Sequence, residues 1–74
     1  MNLKQLEYFT AVAQAGSISA AARSLHISQP PLSTQLHLLE EELGTALFER
    51  GARSIRLTDA GRTLYTRALS ILDL

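Results

Sequence analysis

The chain contains no cysteine. Disulfide staples are excluded, and with them Cys₂His₂ zinc sites. The two histidines, His26 and His37, read as ordinary polar side chains, and neither a metal nor a cofactor is expected. Long hydrophobic runs are also missing. Nothing approaches the roughly 18 apolar residues of a membrane span, and residues 1–20 lack the cationic start and apolar block of a signal peptide. A cytoplasmic protein without membrane contact is the expectation. Repeats, low-complexity stretches and linkers are absent, so 74 residues make one small domain. There is no nucleophile-base-orienter set and no phosphate loop, which argues against an enzyme. Three adjacent glutamates, Glu40 to Glu42, fan out by about 100° per residue on a helix and read as a solvated face.

Net charge is lacking too: seven basic residues balance seven acidic ones. A zero sum argues against a nucleic-acid partner until its distribution is considered. Residues 8–39 hold Arg23 and no acid. Glu40, Glu41, Glu42 and Glu49 then form an acidic block. Arg50, Arg53, Arg56, Arg62 and Arg67 follow, with Asp59 among them. A fold that brings the uncharged polar segment and the basic segment to one face creates a DNA face within a neutral chain.

Hydrophobic residues make up 46% of the chain, enough for a core, although domains below roughly 70–80 residues are marginal alone. Leu3, Leu6, Phe9 and Ala13 mark a first helical stripe, ended by Gly16. Ser17 caps a second helix, Ile18 to Leu25, whose Ala20, Ala21 and Ala22 permit close approach. His26 can occupy the left-handed region at a tight turn. Ser28 is expected to cap a third helix with Pro30 and Pro31 in its first turn, a Leu32, Leu36, Leu39, Leu43 stripe, and Gly44 as its stop. Phe48–Glu49–Arg50 and Ser54–Ile55–Arg56–Leu57 read as a hairpin around Gly51. Thr58 caps a last helix with Leu64, Ala68, Ile71 and Leu72 on its apolar face, and Gly61 inside it implies a close contact.

The predicted architecture is mainly α. A winged helix-turn-helix spans residues 1–58, with the helix-turn-helix near 18–37 and a small β-hairpin wing near 47–57. A longer helix starts at 59–74. In a helix-turn-helix the second helix enters the major groove amino-terminal end first. Gln29, Ser33 and His37 line one face of that helix, with Pro30 and Thr34 beside them. Gln pairs with adenine, Ser and Thr with either edge, and proline carbons touch a thymine methyl. The helix N-terminus attracts phosphate. From periodicity alone the same surface is equally the solvated side of an amphipathic helix; Arg50, Arg53 and Arg56 near the hairpin tip can reach phosphates or the minor groove beside a reading helix, but taken alone they read better as exposed surface arginines.

Several segments in order resemble LysR-type transcriptional regulators: Leu3–Lys4–Gln5–Leu6 and Phe9; Gly16–Ser17 with Ala20–Ala21–Ala22; Leu25–His26–Ile27–Ser28–Gln29–Pro30–Pro31–Leu32–Ser33; then Leu39–Glu40, Leu43–Gly44, Leu47–Phe48, Arg50, Leu57–Thr58 and Ala60–Gly61. The match runs through the whole chain without gaps. The resemblance implies sequence-specific binding of double-stranded DNA by a homodimer, at an interrupted inverted repeat. It implies base contacts at Gln29, Pro30, Pro31, Ser33 and Thr34, and a minor-groove reach at Arg53. Phosphate contacts are expected at Ser28, His37, Arg50 and Arg56, and dimerisation through Leu64, Ala68, Ile71 and Leu72 of a linker helix. Position 34 departs from the pattern, since arginine is frequent where this chain has Thr34. Full-length relatives carry a further effector-binding domain. The chain therefore reads as a fragment, or as one part of a protein whose remainder lies outside these residues. A higher oligomer and a small-molecule effector are expected only with that remainder, and the bacterial protein is expected at the nucleoid through DNA. The rival readings are a winged helix used for protein contact, a regulator of another winged-helix family, and a domain whose last helix simply dimerises.

Overall fold

The computed structural model describes residues 1–50 and 54–73. Three helices, α1 (Leu3–Ala15), α2 (Ile18–Leu25) and α3 (Gln29–Leu43), precede a hairpin of β1 (Phe48–Arg50) and β2 (Ile55–Leu57), and α4 (Asp59–Leu72) closes the order. This is the mainly helical winged helix-turn-helix that the pattern predicts. Among the described residues no helix is long and apolar enough to cross a membrane.

α1 is the hub, touching α2, α3, α4 and β2. Asn2 opens it with a capping box: Asn2 Oδ1 accepts the Gln5 N–H at 2.8 Å, and Gln5 Oε1 accepts the Asn2 N–H at 3.2 Å. Its inner surface is broader than the predicted stripe. Leu6 and Phe9 are buried as expected, but so are Gln5, Thr10 and Val12, while Leu3 is 59% exposed. The cause is the first turn: Gln5 takes its inner side, and Leu3, two residues earlier and about 200° round the helix, must face outward.

Gly16 ends α1 at φ 79° and its carbonyl accepts the Ile55 N–H at 3.2 Å, which ties the hairpin root to the α1–α2 turn. Ser17 caps α2 by accepting the Ala20 N–H at 3.1 Å. His26 adopts φ 59°, as its place in the turn predicts, and Ile27 donates back to the Ala22 carbonyl at 3.0 Å. Leu25 and Ile27 lie half-buried against a core of Phe9, Val12, Ala21, Ala22, Leu32, Leu36, Leu39, Leu47 and Phe48. Leu43, expected on the α3 stripe, is exposed, because the chain turns at Gly44 and Leu47 fills the core at that end.

The strands pair antiparallel with Phe48 opposite Leu57 and Glu49 opposite Arg56. Alternation puts Phe48 and Leu57 inward and Glu49 and Arg56 outward. The Phe48 ring meets Phe9 at 5.3 Å between centroids. Thr58 extends the junction by donating its N–H to Leu47 at 3.0 Å and its hydroxyl to Ala46 at 2.7 Å, while its Oγ1 caps α4 by accepting the Gly61 N–H. Gly61 is buried where α4 crosses this junction. A methyl group there would enter the Leu47 carbonyl oxygen and press on Leu57.

Gly61→Ala is therefore expected to lower stability by about 1–3 kcal/mol through overpacking, against the roughly 1 kcal/mol that alanine ordinarily contributes in a helix. Thermal unfolding checks it. A midpoint at or above that of the parent chain would show that α4 can lift from the hairpin root without cost.

Candidate nucleic-acid interface

Packing decides which side of α3 is available. Leu32, Leu36 and Leu39 are buried, so the opposite side faces solvent. Gln29, Pro30, Pro31, Thr34 and His37 are exposed there, and Ser33 is half-buried at the edge. The structure thus brings the expected reading residues together on one helix end.

The chemistry of that end differs from expectation in one respect. Ser28 occupies the N-cap position but makes no side-chain cap bond. An N-cap oxygen normally accepts from the second or third helical N–H. Here those residues are Pro30 and Pro31, which have none. The Ser28 hydroxyl is exposed and not spent on the cap. The same prolines strip the helix start of two donors, so of its first three residues only Gln29 keeps an N–H to offer a phosphate. The polar groups this end presents are therefore mainly those of side chains.

His37 faces a neighbour on its own helix, with Nδ1 at 3.9 Å from Glu40 Oε1. Glu40 is not part of a solvated face, contrary to the reading of the three glutamates. It is half-buried, and its Oε2 accepts the backbone N–H of Leu47 at 2.7 Å and of Phe48 at 3.4 Å. It therefore ties the end of α3 to the root of the hairpin. Glu42 pairs with the terminal amino group of Met1, and Glu41 is exposed.

Of the three hairpin arginines, Arg56 is described: it is exposed at the centre of β2, on the outward face it shares with Glu49. Arg53 and Gly51 lie outside the described residues, as does the side chain of Arg50. Arg62, in the same basic segment, is engaged by Asp59 and by the Leu57 carbonyl at 3.2 Å.

The four expected dimerisation residues do not share one outward face. Ala68 is fully buried in its own core, and Leu64 leans on that core. Leu72 lines an open groove of about 290 Å³ with Glu7, Thr10, Ala11, Gln14 and Leu25. Ile71, 57% exposed, points outward. The apolar spacing of α4 mainly records its packing on α1.

One polar residue at the interface of α1 and α3 escaped the sequence reading. Gln5 is 8% exposed, and its Nε2 donates to Gln35 Oε1 at 3.1 Å. The Asn2–x–x–Gln5 spacing of a capping box was the available signal for its placement.

The model of bacterial regulatory helix-turn-helix proteins of the lysR family matches residues 3–62. The chain belongs to the LysR family. A LysR-type relative, the HTH-type transcriptional regulator TfdS of Cupriavidus pinatubonensis, is 51% identical over 74 residues, which is all of this chain and 25% of that protein. Among solved structures, the CbnR DNA-binding domain in a DNA complex superposes with a TM-score of 0.94 at 49% identity, covering 99% of this chain and 84% of that one. The BenM DNA-binding domain with catB site 1 DNA gives 0.96 at 46% identity, covering 99% and 82%. The chain spans about a quarter of the length of most of the curated relatives it matches and about half of one. This LysR-family chain therefore corresponds to the DNA-binding-domain portion of those relatives, which are named as regulators and not as enzymes.

The two cap serines of this LysR-family fold should behave differently. Ser17→Ala is expected to cost about 1 kcal/mol, the ordinary loss of an N-cap, whereas Ser28→Ala should leave stability unchanged. Chemical denaturation of both variants checks this. An equal loss for Ser28→Ala would mean its hydroxyl is holding the fold.

Proposed function

We propose that the chain binds double-stranded DNA sequence-specifically, as the reading head of a LysR-type transcriptional regulator that works as a homodimer on an interrupted inverted repeat. The observation that carries this reading is the likeness, at 49% identity over nearly the whole chain, to a CbnR domain solved in complex with DNA. The exposed polar end of α3 supports it chemically.

In this reading α3 enters the major groove with Gln29, Pro30, Pro31, Ser33 and Thr34 against base edges. Gln29 supplies a bidentate amide, and the prolines supply carbon surface. Ser28, His37, Arg50 and Arg56 contact phosphates, and Arg53 reaches the minor groove. Thr34 stands where arginine is frequent, so this head reads with less electrostatic help. That fits a chain of zero net charge and a first turn with few backbone donors. Residues 1–58 carry recognition, and 59–74 begin the helix that sets the spacing of two heads. Ile71 is the outward apolar residue of that helix, while Leu64 and Ala68 hold it to its own domain. A small-molecule effector, a higher oligomer and nucleoid localisation belong to the whole protein.

Selection from a random duplex library tests the reading. Enrichment of an interrupted inverted repeat is expected. A single half-site would remove the stable dimer from the account, and no enrichment from a folded chain would point to protein contact instead. Gln29→Ala is expected to relax preference at one base position by about 1–3 kcal/mol. An unchanged preference would take Gln29 out of the reading role.

A further inference from the structure

α3 is held to the core by Leu32, Leu36 and Leu39. Apolar burial is non-directional, so this packing resists withdrawal of the helix better than rotation about its own axis, and the Glu40 ties to Leu47 and Phe48 restrain the far end of the helix, away from the residues of its first turns. Rotation matters to a reading helix. Side-chain tips lie roughly 5–6 Å from a helix axis, so a roll of about 10° moves a tip by about 1 Å. A hydrogen bond to a base edge fails over a comparable distance.

A directional restraint is present immediately after the reading residues. Gln35 follows Thr34 directly and lies well round the helix from Ser33 and His37. Its Oε1 accepts from Gln5 Nε2 across the α1–α3 interface. Gln5 cannot rotate its amide to suit a displaced partner. Its Oε1 is committed to the Asn2 N–H and its backbone N–H to Asn2 Oδ1, which fixes its Nε2 toward Gln35. Gln5 is also nearly enclosed, so water is a poor substitute partner.

We propose that the Gln5–Gln35 amide bridge sets the roll of α3, and that Gln5 is a positioning residue for sequence discrimination although it lies away from the reading surface. The inference rests on α3 being the DNA-reading helix. Gln5 acts through Gln35 on the angle at which Gln29, Ser33 and Thr34 are presented. Losing the bridge is expected to degrade discrimination between correct and altered sites more than general affinity for duplex DNA.

The test compares the parent chain with Gln5→Met, Gln35→Met, their double variant and Gln35→Glu. The readout is the ratio of affinities for the selected duplex and for one altered at a single read base pair, with thermal midpoints recorded alongside. Each methionine variant is expected to lower the ratio roughly three- to tenfold, the range of one lost net hydrogen bond. In the double variant neither member of the bridge is left without its partner, and the Asn2 N–H that also loses Gln5 Oε1 lies at the exposed start of α1, so the midpoint should recover part of the way toward the parent while the ratio stays low. Gln35→Glu keeps an acceptor for Gln5 Nε2, so it should hold the ratio near the parent value while its added charge weakens binding to both duplexes. Recovery of the ratio together with the midpoint in the double variant would overturn the proposal, since the bridge would then only satisfy buried groups. Parent-like ratios in both single variants would overturn it as well. If Gln5→Met fails to fold, Gln35→Met against Gln35→Glu decides alone. A parent chain with no preference between the duplexes would instead refute the DNA-reading function itself.

Discussion

The ring of Phe9 is the contact around which the other elements are arranged. It is fully buried at the middle of α1, and it meets the Phe48 ring at the root of the hairpin. Through that contact one helix determines where the wing starts. The same helix supports α3, α2 and α4 on its other sides. A domain this small has little buried surface to spare, and this aromatic pair joins its helical part to its sheet beside the contacts of β2 with α1 and α4. Two polar ties reinforce the arrangement: the Gly16 carbonyl to Ile55, and the Glu40 carboxylate to Leu47 and Phe48. α3 and the root of the hairpin are therefore joined through α1 and through these ties.

The start of α3 shows how a pair of prolines reshapes a helix end. A helix beginning Ser-Gln-Pro-Pro has given up most of its own anion site. Without N–H groups at positions two and three, neither the serine nor a phosphate can be satisfied by the backbone there. What remains is a polar hydroxyl, an amide side chain and two rigid carbon rings. Such a surface depends on shape and hydrogen bonding more than on charge, in keeping with a neutral chain whose described cations are partly occupied. Arg62 is held by Asp59, and Arg56 shares its face with Glu49.

Much of this was legible in the residues. Gly16, His26, Gly44 and Thr58 each sit where a cap or turn needs them, and their backbone preferences are local properties that a sequence displays directly. The strands were legible from alternation of Ile55 and Leu57 with Ser54 and Arg56. What escaped was tertiary. Leu3 and Leu43 belong to helical stripes but lie beyond the reach of neighbouring elements, so period alone overstates the core at both helix ends. Gln5 and Glu40 look like surface residues until a second element arrives to accept or donate. Ser28 has the right residue type for a cap and the wrong neighbours. The stripe on α4 has the spacing of a mate for another chain, while Ala68 is buried and Leu64 packs on the domain's own core. An apolar stripe states that something is covered without stating what covers it.

The central claim is that the exposed end of α3, and not the groove between α1 and α4, meets the duplex. Mapping amide resonance changes on titration with the selected duplex tests it most directly. The account predicts that the largest changes fall on Ser28, Gln29, Ser33, Thr34 and Arg56, with small ones on Glu7, Thr10, Ala11 and Gln14. Changes concentrated on those four α1 residues, with α3 unmoved, would contradict it.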